Sequence, residues 1–172
     1  MAEEEVEVED TTQKKEEEEE EEKSCKVVLV GESGVGKTCI ISQYIENEFT
    51  DKLMSTTGAT FSSKIIKIDE KNLNLEIWDT IGQEKYRSLT RMFYKEAGAA
   101  ILVYDITAKV TFEEIKNYWL EEVKNNAPEK CLLCICANKG DLYLNEQVPE
   151  KTGSDFAKEN DPLFFTTSAK DY

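Results

Sequence analysis

Residues 31–38 read Gly-Glu-Ser-Gly-Val-Gly-Lys-Thr, directly after the apolar run Cys25-Lys26-Val27-Val28-Leu29-Val30. This is the G-x-x-x-x-G-K-[ST] spacing in the context its chemistry needs, a strand before it and a helix after it. Glycines let the backbone wrap close to a polyphosphate. The N–H groups of Ser33, Gly34, Val35 and Gly36, continuing through Lys37, Thr38 and Cys39, then form an anion nest at the positive end of a helix dipole. Lys37 supplies a cation for the β/γ oxygens, and the Thr38 hydroxyl is a ligand for Mg²⁺. On its own the loop implies a nucleoside triphosphate and no more; its bland alternative is a Gly-rich strand-to-helix turn carrying a stray Lys-Thr.

Three more motifs follow in order. Asp79-Thr80-Ile81-Gly82-Gln83-Glu84 closes a run ending in Trp78. An Asp at a strand end can hold the shell of a Mg²⁺ ion, a glycine N–H can approach a γ-phosphate, and the Gln83 amide can orient a water. D-x-x-G by itself is also a plain turn. Asn138-Lys139-Gly140-Asp141 closes the next run but one. A fixed carboxylate at Asp141 accepts from both N1–H and the 2-amino group of guanine, a pair adenine does not offer. Ser168-Ala169-Lys170 follows the last apolar run, where backbone N–H groups can meet the guanine O6.

These motifs must be held by alternating strands and helices. Strands are expected over 25–30, 60–68, 73–78, 99–104, 131–137 and 163–167, and helices over 38–46, 111–125 and 149–159. The strands at 60–68 and 73–78 are joined by Asp69-Glu70-Lys71-Asn72 and should pair antiparallel. Thr111 and Glu114 read as a capping box, with Phe112, Ile115, Trp119 and Val123 facing inward. Gly153 weakens the helix at 149–159. The fold class is α/β: a P-loop NTPase with a doubly wound, mostly parallel six-stranded sheet and one antiparallel strand. Such sheets bind ligands at the carboxyl ends of their strands, where all four motifs fall.

Composition divides the chain. Residues 1–23 hold thirteen acidic side chains and three lysines, a net of −10 out of −15, leaving −5 on residues 24–172. The first stretch has almost nothing to bury and is expected to be a disordered acidic extension. It reads either as a solvating leader or as an arm for a basic partner. The acidity argues against nucleic acid. No apolar run reaches the roughly 20 residues of a membrane helix, and no signal-peptide pattern stands at the acidic N-terminus. Five cysteines suggest a reducing, cytoplasmic setting. Cys131, Cys134 and Cys136 read as residues of a buried strand, the alternative being a zinc or redox site.

With these motifs in place, residues 24–172 resemble the small Ras-like GTPases, and within them the Rab family. The likeness rests on the phosphate loop, Ser55-Thr56-Thr57-Gly58, Trp78-Asp79-Thr80, Gly82-Gln83-Glu84, Leu102-Val103-Tyr104-Asp105-Ile106-Thr107, and Phe164-Phe165 before Ser168. Gly58-Ala59-Thr60-Phe61 and residues 132–135 resemble the endosomal branch. The resemblance implies a GTP/GDP switch with Mg²⁺ and slow hydrolysis in vesicle traffic. Thr56 would close on the metal and the γ-phosphate, and Phe49 would pack edgewise on the guanine. Gly82 to Met92 would form the second switch, with Gln83 and Lys37 as the catalytic pair. Phe61, Trp78 and Phe93 would present the active state to effectors, and exchange factors and activating proteins would act on the switches.

The sequence departs from the family at three places. Ile81 stands where Ala is usual, Thr57 and Thr60 differ in the first switch region, and no last helix or lipidated cysteine follows Lys170 up to Tyr172. A place on endomembranes would need a lipidated segment beyond Tyr172, and several sheet side chains would lack cover. Two rival readings are a nucleotide-binding module with impaired hydrolysis or exchange, and a P-loop kinase or ATPase, which Asp141 argues against.

Overall fold

The computed structural model describes residues 23–50, 56, 58–81 and 87–171. Residues 1–22, Ser55, Thr57, Gly82, Gln83 and Tyr172 lie outside the described residues. The chain forms β1 (Lys23–Val30), α1 (Lys37–Glu46), β2 (Thr60–Ile68), β3 (Lys71–Asp79), α2 (Arg87–Tyr94), β4 (Ala99–Asp105), α3 (Lys109–Glu114), α4 (Leu120–Asn126), β5 (Leu132–Asn138), α5 (Glu150–Asn160) and β6 (Leu163–Thr166). A π-helical turn, Ile115–Trp119, joins α3 to α4, and a 3₁₀ turn, Gly140–Asn145, follows β5.

The sheet runs β2-β3-β1-β4-β5-β6, with only the β2–β3 pair antiparallel. From β1 the chain passes to β2 at the far edge, returns through β3 beside β1, and then crosses to β4 on the other side. The strand order therefore reverses beside β1, and a crevice opens at the carboxyl ends of β1 and β4. Register places the motifs together there. Leu29 pairs with Asp79 and with Ile101, and Asp105 pairs with Asn138.

Each face carries its own core. Val28, Val30, Leu102, Tyr104 and Ile135 pack with Phe112, Ile115, Trp119, Leu120 and Val123. Leu29, Ile77, Val103 and Cys136 pack with Val35 and Ile41, under α1. The second face is covered less completely. Leu163 and Phe165, in register with Cys134 and Cys136, are 55% and 56% exposed, and Leu132 is 65% exposed.

Several expectations change. Lys23, counted with the acidic extension, begins β1 by pairing with Leu73. The β2–β3 turn is tighter than four residues, because Asp69 and Glu70 both take positive φ (47° and 66°) and close a two-residue hairpin. Thr111 is not a cap: the helix starts two residues earlier, and the Thr111 hydroxyl donates back to Ala108 O at 2.7 Å. β5 is buried only in part, with Cys136 inside and Cys134 half-buried. Neither α2 nor the 3₁₀ turn was expected as a helix.

Candidate functional site

A cavity of about 330 Å³ lies at the strand ends, lined from the phosphate loop, the first-switch region and both base-side loops. The sequence-derived residues Ser33, Gly34, Gly36, Lys37, Thr38, Cys39, Phe49, Thr56, Asn138, Lys139, Asp141, Ala169 and Lys170 all line it. Val35, Asp79 and Ser168 stand one layer behind. Val35 is fully buried and its carbonyl accepts from Asn138 Nδ2 at 2.8 Å. Thr50, Thr80 and Leu142 also line the cavity without having been expected there.

The loop takes its shape from its glycines. Gly36 has φ 97° and ends the loop at the first turn of α1, where a Cβ would strike the Asn138 amide. Only glycine combines that dihedral with so close an approach. Lys37 is buried, and its Nζ donates to Gly31 O at 2.8 Å and Glu32 O at 2.9 Å. An ammonium has three protons, so one remains for an anion in the cavity. Burial pulls its pKa down to about 8, opposed by the nearby Asp79 and Glu32 charges.

Oxygen donors converge beside it. Thr38 Oγ1 donates to Asp79 Oδ2 at 2.5 Å and lies 2.8 Å from Thr56 Oγ1. Burial raises the Asp79 pKa, against the hydrogen bonds from Thr38 and Thr56 and the charge of Lys37. Asp79 Oδ1 is buried without any partner. A buried carboxylate oxygen with no donor, on a carboxylate whose other oxygen is held by a threonine hydroxyl, suits a small hard cation that keeps water and phosphate as its other ligands. Thr38, Thr56 and Asp79 thus fit Mg²⁺.

On the base side, Ser168 Oγ donates to Asp141 Oδ1 at 2.8 Å. Lys139, in the left-handed region at φ 66°, reaches back to Gly34 O at 2.8 Å and pairs with Asp105 Oδ2 at 2.6 Å. It ties the base loop to the phosphate loop, which makes Asp105 a structural member of the site that motif reading missed. The signal was there in Tyr104-Asp105-Ile106-Thr107, where Asp105 Oδ1 also accepts from Thr107 N and Oγ1. Leu142 carried no comparable signal.

Phe61, Trp78 and Phe93 form a row of tilted rings, with ring centroids 5.2 Å and 5.5 Å apart. Phe61 is 52% exposed. Of the expected catalytic pair only Lys37 is described, since Gln83, like Gly82, lies outside the described residues.

A glycine-shaped anion loop at the reversal of strand order, with a buried lysine and a metal-ready carboxylate, defines a P-loop nucleotide-binding α/β domain. The Ras family model matches residues 26–172, and the chain belongs to that family, among relatives named Rab. It is 42% identical over 144 residues to Ras-related protein Rab-4A of Homo sapiens, covering 84% of this chain and 66% of that protein. It is 46% identical over 149 residues to the putative ras-related protein Rab-5B of Dictyostelium discoideum, covering 86% and 68%. Rab-11C of the same organism is 40% identical over 144 residues, covering 84% and 64%. The chain thus spans about two thirds of the length of the curated relatives it matches. Among the described residues no helix is long and apolar enough to cross a membrane.

Proposed function

We propose that the chain is a guanine-nucleotide switch that binds GTP and GDP with Mg²⁺, hydrolyses GTP slowly, and signals to effectors in vesicle traffic. The observation that carries this reading is Asp141, a carboxylate fixed by Ser168 in the same cavity as Lys37 and Thr38. A fixed acceptor pair selects guanine, because the wrong base leaves buried groups unpaired.

The phosphate loop would hold the β/γ phosphates, with the free Lys37 proton directed at their oxygens. Thr38, Thr56 and Asp79 would hold Mg²⁺, whose charge when bound offsets charge developing on the transferred phosphoryl group. Thr56 already lies 2.8 Å from Thr38, so closure of the first switch needs the contact kept rather than made. Gln83 would orient the attacking water. Loss of the γ-phosphate removes the reason for Thr56 and Gly82 to stay, and both switches release. The sequence offers no arginine finger of its own, so an activating protein would supply the missing charge.

The row Phe61–Trp78–Phe93 spans β2, β3 and α2, next to both switches, and is the surface on which effectors would read the state. The endosomal branch is the finer assignment, carried by Gly58-Ala59-Thr60-Phe61. The acidic residues 1–22 would offer a basic partner a charged arm. Cytoplasmic residence completes the reading, with a place on the cytosolic face of endomembranes only where a lipidated segment follows Tyr172.

Single-turnover GTP hydrolysis by the parent, Gln83→Leu and Thr38→Asn tests it. Slow turnover by the parent, loss in Gln83→Leu and poor nucleotide retention in Thr38→Asn are expected. Bound guanine nucleotide with no turnover in the parent would instead favour a non-hydrolysing binding module, and release of adenine nucleotide on denaturation would favour a kinase or ATPase.

A further inference from the structure

α3 and α4 are one continuous rod interrupted by the π-helical turn Ile115–Trp119. A π turn holds about one residue more than an α turn and rotates everything after it, which is why such turns concentrate at functional positions. Here Ile115, Trp119 and Leu120 are all buried. Trp119 is fully buried, and its indole nitrogen has found an acceptor far away in sequence: Nε1 donates to Glu32 Oε1 at 3.0 Å. One turn further along the rod, Glu122 receives Arg91 Nε at 2.7 Å, so the rod is held at a second point by α2.

Glu32 is the second residue of the phosphate loop. Its carbonyl is one of the two on which Lys37 Nζ rests. A carboxylate in a loop shaped for an anion opposes that anion unless the side chain is held elsewhere. An indole N–H to carboxylate bond is charge-assisted, and here a fully buried donor meets a half-buried carboxylate, which restrains the side chain.

We propose that Trp119 is a positioning residue of the phosphate site: its indole N–H holds the Glu32 side chain against the rod and so fixes the loop carbonyl that seats Lys37. The proposal rests on the guanine-nucleotide reading above. Trp119→Phe keeps most of the ring volume and deletes the donor. Release of a fluorescent GDP analogue should quicken by roughly tenfold, the scale of one charge-assisted hydrogen bond. Preference for guanine over adenine should not change. Glu32→Ala should quicken release similarly, and the double variant should add nothing further, since both remove the same bond. Glu32→Gln keeps an acceptor and should restore most of the hold.

A second readout needs no nucleotide. In ¹H–¹⁵N spectra of the full chain, the Trp119 indole proton should move upfield in Glu32→Ala and return in Glu32→Gln. The Trp78 indole, buried with no acceptor, serves as the internal reference. Unchanged release from a Trp119→Phe protein that melts like the parent would overturn the proposal. So would an additive double variant, or an unmoved indole signal in Glu32→Ala. If Trp119→Phe does not fold, Glu32→Ala decides by release rate and indole shift together. A parent that binds no guanine nucleotide would refute the function proposed above, while the indole shift still judges the Trp119–Glu32 tie.

Discussion

Ser168 Oγ donates to Asp141 Oδ1 at 2.8 Å while accepting from the backbone N–H of Asp171 at 2.9 Å and of Lys170 at 3.2 Å. With two donors on its oxygen, the hydroxyl has its proton committed to the carboxylate, and Asp141 is presented as a fixed acceptor. Asp141→Asn should therefore weaken GTP binding by at least about a hundredfold, the scale of one to two charged hydrogen bonds. It should also improve binding of a xanthine nucleotide, whose 2-oxo group matches the new amide donor. Ser168→Ala should cost roughly tenfold with no change of preference. Competition binding with guanine, xanthine and adenine triphosphates checks this; equal losses for all bases in Asp141→Asn would refute base reading by Asp141.

Metal removal should expose the role of Asp79. Its Oδ1 is a buried oxygen without a donor, and burial already raises its pKa. Chelation of divalent ions should accelerate GDP release from the parent by more than about tenfold, since a lost ligand set frees two phosphates at once. Asp79→Ala should release quickly with or without chelator. In nucleotide-free protein, Asp79→Asn should raise the melting temperature, because it removes a desolvated charge. A parent whose release ignores the chelator would rule out the metal assignment.

Most of this site was legible because its chemistry forces residue type and spacing together. A glycine at 36 and a lysine at 37 have few other reasons to be adjacent, and Asp141 lies at a strand end where parallel sheets bind ligands. What was hidden depended on tertiary contacts. Asp105 gains its place only because Lys139 bends back through a positive φ to reach it. The π turn could not be read, because Phe112, Ile115, Trp119, Leu120 and Val123 fit an uninterrupted α period equally well; the extra residue shows only in the backbone of Ile115–Trp119. Thr111 misled because a threonine three residues before a glutamate looks like a cap, whereas its hydroxyl binds the preceding turn.

Ile81 follows Thr80, whose Oγ1 donates to Leu29 O at 2.6 Å and anchors the start of the second-switch region to β1. A half-buried, β-branched side chain just after this anchor narrows the backbone choices of the segment that must change between states. Ile81→Ala should change nucleotide exchange or single-turnover hydrolysis by several-fold, roughly 1 kcal/mol of barrier. Rates matching the parent in both assays would dismiss the idea.

The cysteines of β5 should show the pH dependence of burial. Burial raises the Cys136 thiol to about 11 and the Cys134 thiol to about 12, against a reference of 9.0. At pH 8 the thiolate fraction of Cys136 is then roughly a hundredfold below that of a free thiol, and alkylation should be slowed at least that much. The folded pKa lies above the unfolded one, so the thiol's contribution to stability is complete below pH 9 and fades as the pH rises through 11. Cys136→Ala should flatten that part of the stability profile. Site-resolved alkylation by mass spectrometry, with melting curves from pH 8 to 11, measures both; rapid labelling of native Cys136 at pH 8 would contradict its burial.

Gly153 was expected to weaken its helix, and the packing around it reverses the practical consequence. A Cβ there would strike the Tyr104 hydroxyl and come within 2.7 Å of the Phe164 ring. Gly→Ala in a helix interior ordinarily gains about 0.5–1 kcal/mol. Overpacking a filled core costs about 1–3 kcal/mol. Gly153→Ala should therefore destabilise the protein despite its better helix propensity. Tyr104 OH is buried without a partner, so Tyr104→Phe removes an unsatisfied oxygen and clears part of the space. Tyr104→Phe should be neutral or stabilising alone, and in the double variant it should recover much of the loss caused by Gly153→Ala, a coupling expected only for residues in contact. Denaturant midpoints for the two single variants and the double variant give the cycle directly. A stabilising Gly153→Ala would mean that the neighbouring rings yield easily, and that propensity governs this helix after all.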